Sequence, residues 1–218
     1  SVATATSENA TAIGSEATAT SGNATAIGGK ASAISEGAQA LGYQSNASGY
    51  QSNAIGAQAA ASGIASNAIG WNANATAQDA TAIGSGATAV GDESTALGYK
   101  SNASGWSSFA QGSSALASGN KSISIGASSK ATVDRSIAIG DEASTDNQSV
   151  SNTSTTKTQT NRQSVAIGPW AQAWGDQSTA IGNNVKSSGN SSVAIGGDDI
   201  DRVRSQYSNL YQSITGQA

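Results

Sequence analysis

The sequence predicts an all-β chain, a solenoid of stacked fourteen-residue coils. Three observations predict it: a glycine that keeps strict phase, an alanine-rich apolar string ahead of it, and a weaker copy of that string half a period away. Glycine stands at Gly14, Gly28, Gly42, Gly56, Gly70, Gly84, Gly98, Gly112, Gly126 and Gly140, misses one slot at Ser154, and resumes at Gly168, Gly182 and Gly196. A single-chain globular fold does not hold phase over so many matches, whereas a stacked repeat must.

The residues before each glycine define the first strand. ATAIG ends at Gly14, Gly28 and Gly84, STALG at Gly98, SIAIG at Gly140, and SVAIG at Gly168 and Gly196, which predicts a five-residue strand. Seven residues out of phase lie Ala17 to Ser21, Ala31 to Ser35, Ala59 to Gly63 and Ala73 to Ala77, so each coil is expected to hold two short strands and two tight turns. The second turn carries glycine less strictly, at Gly49, Gly63, Gly91, Gly105, Gly119, Gly175 and Gly189. A glycine recurring at a fixed strand end predicts a positive φ, which other residues adopt only at a cost.

Side chains alternate along a strand, which sorts each coil into an inside and an outside. Ala10 and Ala12, Ala24 and Ala26, Ala17 and Ala19, and Ala31 and Ala33 occupy the inward slots, where a coil this short leaves room only for small groups. The outward face of the second strand is mostly polar, as at Thr18, Thr20, Asn74, Thr76 and Ser62, with Ala60 an exception.

The outward face of the first strand is different. The slot before glycine reads Ile13, Ile27, Leu41, Ile55, Ile69, Ile83, Leu97, Ile125, Ile139, Ile167, Ile181 and Ile195, with Gln111 interrupting. Leaving such a column in water forfeits roughly 1.5 to 3 kcal/mol per side chain, and a continuous apolar stripe of this kind marks an interface. The chain is therefore expected to associate with copies of itself, these residues forming the shared interface. Three columns meeting on one axis would enclose them; a face-to-face dimer would hide one stripe as well.

Two regions break the repeat. Asp146 to Arg162 contain no glycine, and no strand pattern resumes until Ser164, which predicts a polar loop inserted over about 148–162 that returns the chain to the same phase. Lys157 is its candidate ligand contact, since long loops are often functional. After Gly196, the residues Ile200, Val203, Tyr207, Leu210 and Ile214 recur at heptad spacing, so 198–218 is expected to be a short helix, a connector or the start of a stalk, with Asp198 and Asp199 in its first turn. The first domain is accordingly placed at 1–197.

Further candidate ligand contacts are the large groups directly after turn glycines: Tyr43, Tyr50, Trp71, Tyr99 and Trp106. Aromatics are enriched where proteins bind, although rings at coil corners also fold back over neighbouring coils. Trp170 and Trp174 are expected to pack at one level of the roll, and Phe109 to fill space at the subunit interface. The acidic pairs Asp92 with Glu93 and Asp141 with Glu142 follow turns and read as solvated corners.

Composition bounds the chemistry. The chain lacks Cys, Met and His, so it has no disulfide framework, no thiol nucleophile and no imidazole ligand; no cofactor, metal site or enzymatic constellation is expected. With 11% charged residues and a net charge of −4, it carries no basic footprint for nucleic acid and no polybasic membrane patch. Sequons such as Asn9 to Thr11 follow from an Asn-, Ser- and Thr-rich composition and are assigned no role. Starting at Ser1 without a signal peptide or apolar span, the chain reads as a segment of a longer exported protein, anchored elsewhere.

SVAIG and SIAIG strings at this period resemble the head repeats of trimeric autotransporter adhesins of the YadA type, over about residues 1 to 197. The resemblance implies a left-handed parallel β-roll, three chains packed side by side in the head, and display at a bacterial outer-membrane surface. It further implies adhesion to host matrix proteins such as collagen, fibronectin or laminin, to cells, or to abiotic surfaces. The alternative is a rigid spacer of about fourteen coils, with roughly 65 Å of reach, that displays another binding domain. A third reading, ice binding by Thr4, Thr6, Thr18 and Thr20, is weakened because the threonine rows do not persist.

Overall fold

A computed structural model describes residues 2–145 and 163–197. Every described strand is parallel to its neighbours and in register at one coil's spacing, as in Thr11 against Thr25, Ala12 against Ala26 and Ile13 against Ile27. Two sheets run the length of the roll. One holds thirteen strands, from Thr11–Ile13 to Val193–Ile195; the other holds ten, from Thr4–Ala5 to Lys130–Ala131, continued by a pair at Gln172–Ala173 and Lys186–Ser187. The strands are shorter than the five residues the strings suggest: three in the first sheet and two in the second. The tight turns take up the remainder of each string, because a fourteen-residue coil must reverse direction twice.

The interior is the space between the sheets, and small side chains fill it. Ala17, Ala19, Ala24, Ala26 and their equivalents have no exposed surface, and the largest fully buried side chain is Thr145, followed only by serines. The core thus offers little apolar area per coil. Backbone ladders between coils carry correspondingly more of the cohesion, for instance the amide of Gly28 donating to Ile13 O at 2.8 Å and that of Thr25 to Ala38 O at 2.9 Å.

Both turns are four residues long and close with an amide donated to the carbonyl three residues back, as Ala17 to Gly14 and Ala24 to Ser21. The third residue of each is left-handed, the pattern of a type II turn. Glycine rarely takes that place: Glu16, Asn23, Lys30, Gln44 and Trp170 adopt φ of 59°, 56°, 59°, 56° and 53° there, while Gly37 and Gly86 are the glycine cases. The phased glycines instead open the first turn with φ between 123° at Gly168 and 145° at Gly42. A side chain there meets a second obstacle, since a Cβ on Gly56 would lie 2.5 Å from Gly70 O in the next coil.

The positive φ expected of a glycine that opens a turn therefore holds for the first turn only. Gly49, Gly63, Gly91, Gly105, Gly119 and Gly175 have ordinary φ; in these coils the backbone lies so close to the next that a Cβ would run into its carbonyl, whereas Ser21, Ser35, Ala77 and Val133 take the same slot elsewhere. Where serine occupies this slot, its hydroxyl donates to that next coil: Ser21 Oγ to Ile34 O at 2.6 Å and Ser35 Oγ to Ser48 O at 2.5 Å.

The coil stack passes the interrupted region without losing register. Ile137, Ala138 and Ile139 pair directly with Val165, Ala166 and Ile167, so residues 28 apart stand on adjacent levels. Ser144 bridges Lys130 below and Gln172 above, and the amide of Gln163 donates to Asp134 O at 3.0 Å. The loop expected at 148–162, with Lys157, and the helix expected at 198–218 lie outside the described residues; among these there is no helix.

Candidate functional site

The apolar column lies on the outer face of the thirteen-stranded sheet, as the alternation requires. Consecutive members are ladder partners, so they stack one strand spacing apart, about 4.8 Å. None is buried in its own coil, and Ile13, Ile27, Ile69, Ile83, Ile167 and Ile195 are exposed, from 36% at Ile167 to 66% at Ile195. Leu41, Ile55, Leu97, Ile125, Ile139 and Ile181 are half-buried. Gln111 interrupts the column between Leu97 and Ile125 and is exposed.

A second column on the same face, two residues earlier in each strand, changes character along the roll. It reads Thr11, Thr25, Gln39, Asn53, Asn67, Thr81 and Thr95, then turns apolar at Phe109, Ile123, Ile137, Val165 and Val193, with Thr179 an exception. In the polar half Asn53 Nδ2 donates to Asn67 Oδ1 at 2.8 Å. The apolar face is thus one residue wide at the N-terminal end and two wide towards the C-terminal end. The widening is written in the change from ATAIG to SIAIG and SVAIG, a signal visible only when the slot two before the apolar column is followed along the whole chain.

The aromatics separate onto two corners. Tyr43, Trp71 and Tyr99 follow the phased glycines, one on every second coil, and Trp71 is 58% exposed. Tyr50 and Trp106 stand on the opposite corner, together with Ile64, which the sequence analysis did not single out and which is 53% exposed. Tyr43 does lean over the coil below, since a Cβ on Gly29 would lie 3.4 Å from its Cδ2, yet it remains 54% exposed.

Polar neighbours accompany most of these rings. Gln51 Nε2 donates to Tyr50 Oη at 3.4 Å, Lys100 Nζ lies 5.1 Å from the Tyr99 ring centre, and Lys121 Nζ lies 4.5 Å from that of Trp106. An open groove is lined by Trp106, Asn120, Lys121, Asp134 and Arg135. Its Asn120 and Asp134 side chains are already engaged, accepting from the amides of Trp106 and Asn120 at 3.0 Å each.

Trp170 and Trp174 make separate contacts: Trp170 Nε1 donates to Glu142 Oε2 at 3.2 Å, and Lys186 Nζ sits 3.6 Å from the Trp174 ring centre. Phe109 is half-buried on the outer face beside Gln111. The acidic corners act as local acceptors, Asp92 Oδ1 for the amide of Gln78 at 3.3 Å and Glu93 Oε2 for Ser107 Oγ at 2.6 Å. Among the described residues no cluster of carboxylates is arranged to hold a metal ion, and no helix is long and apolar enough to cross a membrane. What this arrangement provides chemically is surface: an apolar stripe on one face and ring-bearing corners flanked by amides and ammonium groups.

A family model of the YadA head domain repeat, two copies long, matches residues 5–31, 33–59, 47–73, 61–87, 89–116, 103–129, 117–143 and 160–184, which together make up most of the chain. No curated protein matches it.

Proposed function

This chain belongs to the YadA head-repeat family, and from that premise we propose that it is the adhesive head of a trimeric autotransporter adhesin, displayed on a bacterial surface and anchored by a part outside this sequence. Three rolls stand side by side with the columns Ile13 to Ile195 turned to a common axis. The observation that carries this reading is that column: twelve large apolar side chains in one register, interrupted only by Gln111, every one of them exposed or half-buried on the outer face. Enclosing them offsets the loss of translational freedom on assembly, and closed cyclic symmetry buries every copy's stripe equally.

The remaining exterior then faces outward in three copies, so weak contacts to matrix proteins, cells or abiotic surfaces are strengthened by simultaneous engagement. Sedimentation of the purified chain gives the oligomer mass, and attachment of the purified head to immobilised collagen, fibronectin, laminin and plain plastic tests adhesion. A stable monomer that attaches to nothing refutes the reading. The rigid-spacer alternative draws support from the uninterrupted ladder, whose thirteen levels span about 60 Å, and it predicts a trimer inert in every attachment assay.

A further inference from the structure

Between Gly37 and Gln78 the chain carries no charged residue, over three whole coils. Within that stretch one corner presents Tyr43 and Trp71, two coils apart and so about 9.6 Å from each other along the roll. The coil between them has only Ala57 at the equivalent place. Beside the rings, Gln44, Gln58 and Asn72 occupy the left-handed turn position with φ of 56°, 60° and 52°, which turns exposed side-chain amides outward. Gln58 Nε2 donates to Gln44 Oε1 at 3.5 Å, so the amides form a file running parallel to the rings.

We infer that this corner is a binding platform for a neutral, extended polysaccharide lying along the roll axis, sugar faces stacked on Tyr43 and Trp71 and ring hydroxyls bonded by Gln44, Gln58 and Asn72. The inference rests on the adhesive reading and specifies its ligand class. The chemistry selects the occupant. An amide both donates and accepts, which matches neighbouring hydroxyls, and these three coils, with Lys30 bounding the file one coil below Gln44, give an anionic or cationic ligand no counter-charge of their own. In a β-1,4-linked chain alternate sugars turn the same face to one side, so a platform needs a ring on every second coil, as here, and a small residue between. A proline-rich peptide is recognised in an aromatic-lined groove, whereas these rings stand on the outside of a tight turn. Tyr99 continues the series two coils further on, but Lys100 lies over its ring, so Tyr43 and Trp71 form the principal pair.

The test is retention of the purified, assembled head on insoluble cellulose and chitin. Wild type is expected to be retained, the Tyr43→Ala/Trp71→Ala double variant to bind at least tenfold more weakly, and Ile64→Ala, an exposed side chain on the other corner, to bind as wild type; circular dichroism melting verifies that all three stay folded. Undiminished binding by the double variant, or preference for a proline-rich peptide over both polysaccharides, overturns the inference. If the head attaches to protein-coated wells or plastic but to neither polysaccharide, the inference fails and the adhesive reading stands; attachment to nothing removes both.

Discussion

At the scale of single residues, glycine serves two different needs at the two corners. Gly56 needs both its φ of 127° and the absence of a Cβ, because Gly70 O lies where that atom would go. Gly56→Ala is expected to destabilise the roll by about 3 kcal/mol or more, from backbone strain plus displacement of the coil above. Gly22 has nothing within 4 Å of a built Cβ and ordinary φ, so Gly22→Ala should stay within about 0.5 kcal/mol. Denaturant melts of the two variants by circular dichroism make the comparison. A second residue-scale contrast concerns the buried hydroxyls. Ser52 and Ser66 donate to Gly49 O and Gly63 O at 2.7 Å, whereas Ser94, Ser108 and Ser122 Oγ have no partner. Because Ala24 and Ala38 fill the same slot in other coils, Ser122→Ala should raise stability by about 1 kcal/mol, while Ser66→Ala should not.

At the scale of strands and turns, the interior sets the size limit. Ala68 has no exposed surface and sits between Ala54 and Ala82 in register, so Ala68→Leu should cost at least about 1 to 3 kcal/mol, with amide hydrogen exchange accelerated most in the coils on either side. This level was also the most legible from sequence, because strict phase turns every slot into a repeated measurement. Alanine at two inward places per strand and isoleucine before glycine assign faces without any structure. Turn conformation was less legible. The left-handed duty falls on residues as unlike as Glu16, Asn23, Lys30, Ala65 and Trp170, so no single residue type marks the position. Ring placement was legible as a spacing but not as a surface: Tyr43 and Tyr50 are seven residues apart, which puts them on opposite corners, and only packing reveals that Tyr43 leans over Gly29.

At the scale of the whole molecule, the proposed assembly turns on the exposed column. Replacing Ile69 and Ile83 by serine would remove two apolar side chains per copy from the proposed axis, a loss of roughly 1.5 to 3 kcal/mol each, so the double variant is expected to sediment towards monomer at dilutions where wild type stays assembled. The fold of each roll should survive, since its own interior is built from alanine and serine and does not include these residues. The widening of the apolar face from Phe109 onward predicts further that Ile123→Ser and Ile137→Ser weaken assembly more than Thr25→Ser and Thr81→Ser in the same column.

The direct pairing of Ile137–Ile139 with Val165–Ile167 has a genetic corollary. Length in this architecture is favoured in whole coils: removing residues 57–70 as a block should yield a folded protein one rung shorter, whereas excising Ala57 alone leaves the Gly56–Ala59 turn one residue short and should lower the melting temperature by straining that coil. Unequal recombination between near-identical segments can therefore shorten or lengthen such a rod in whole steps while every rung keeps its orientation.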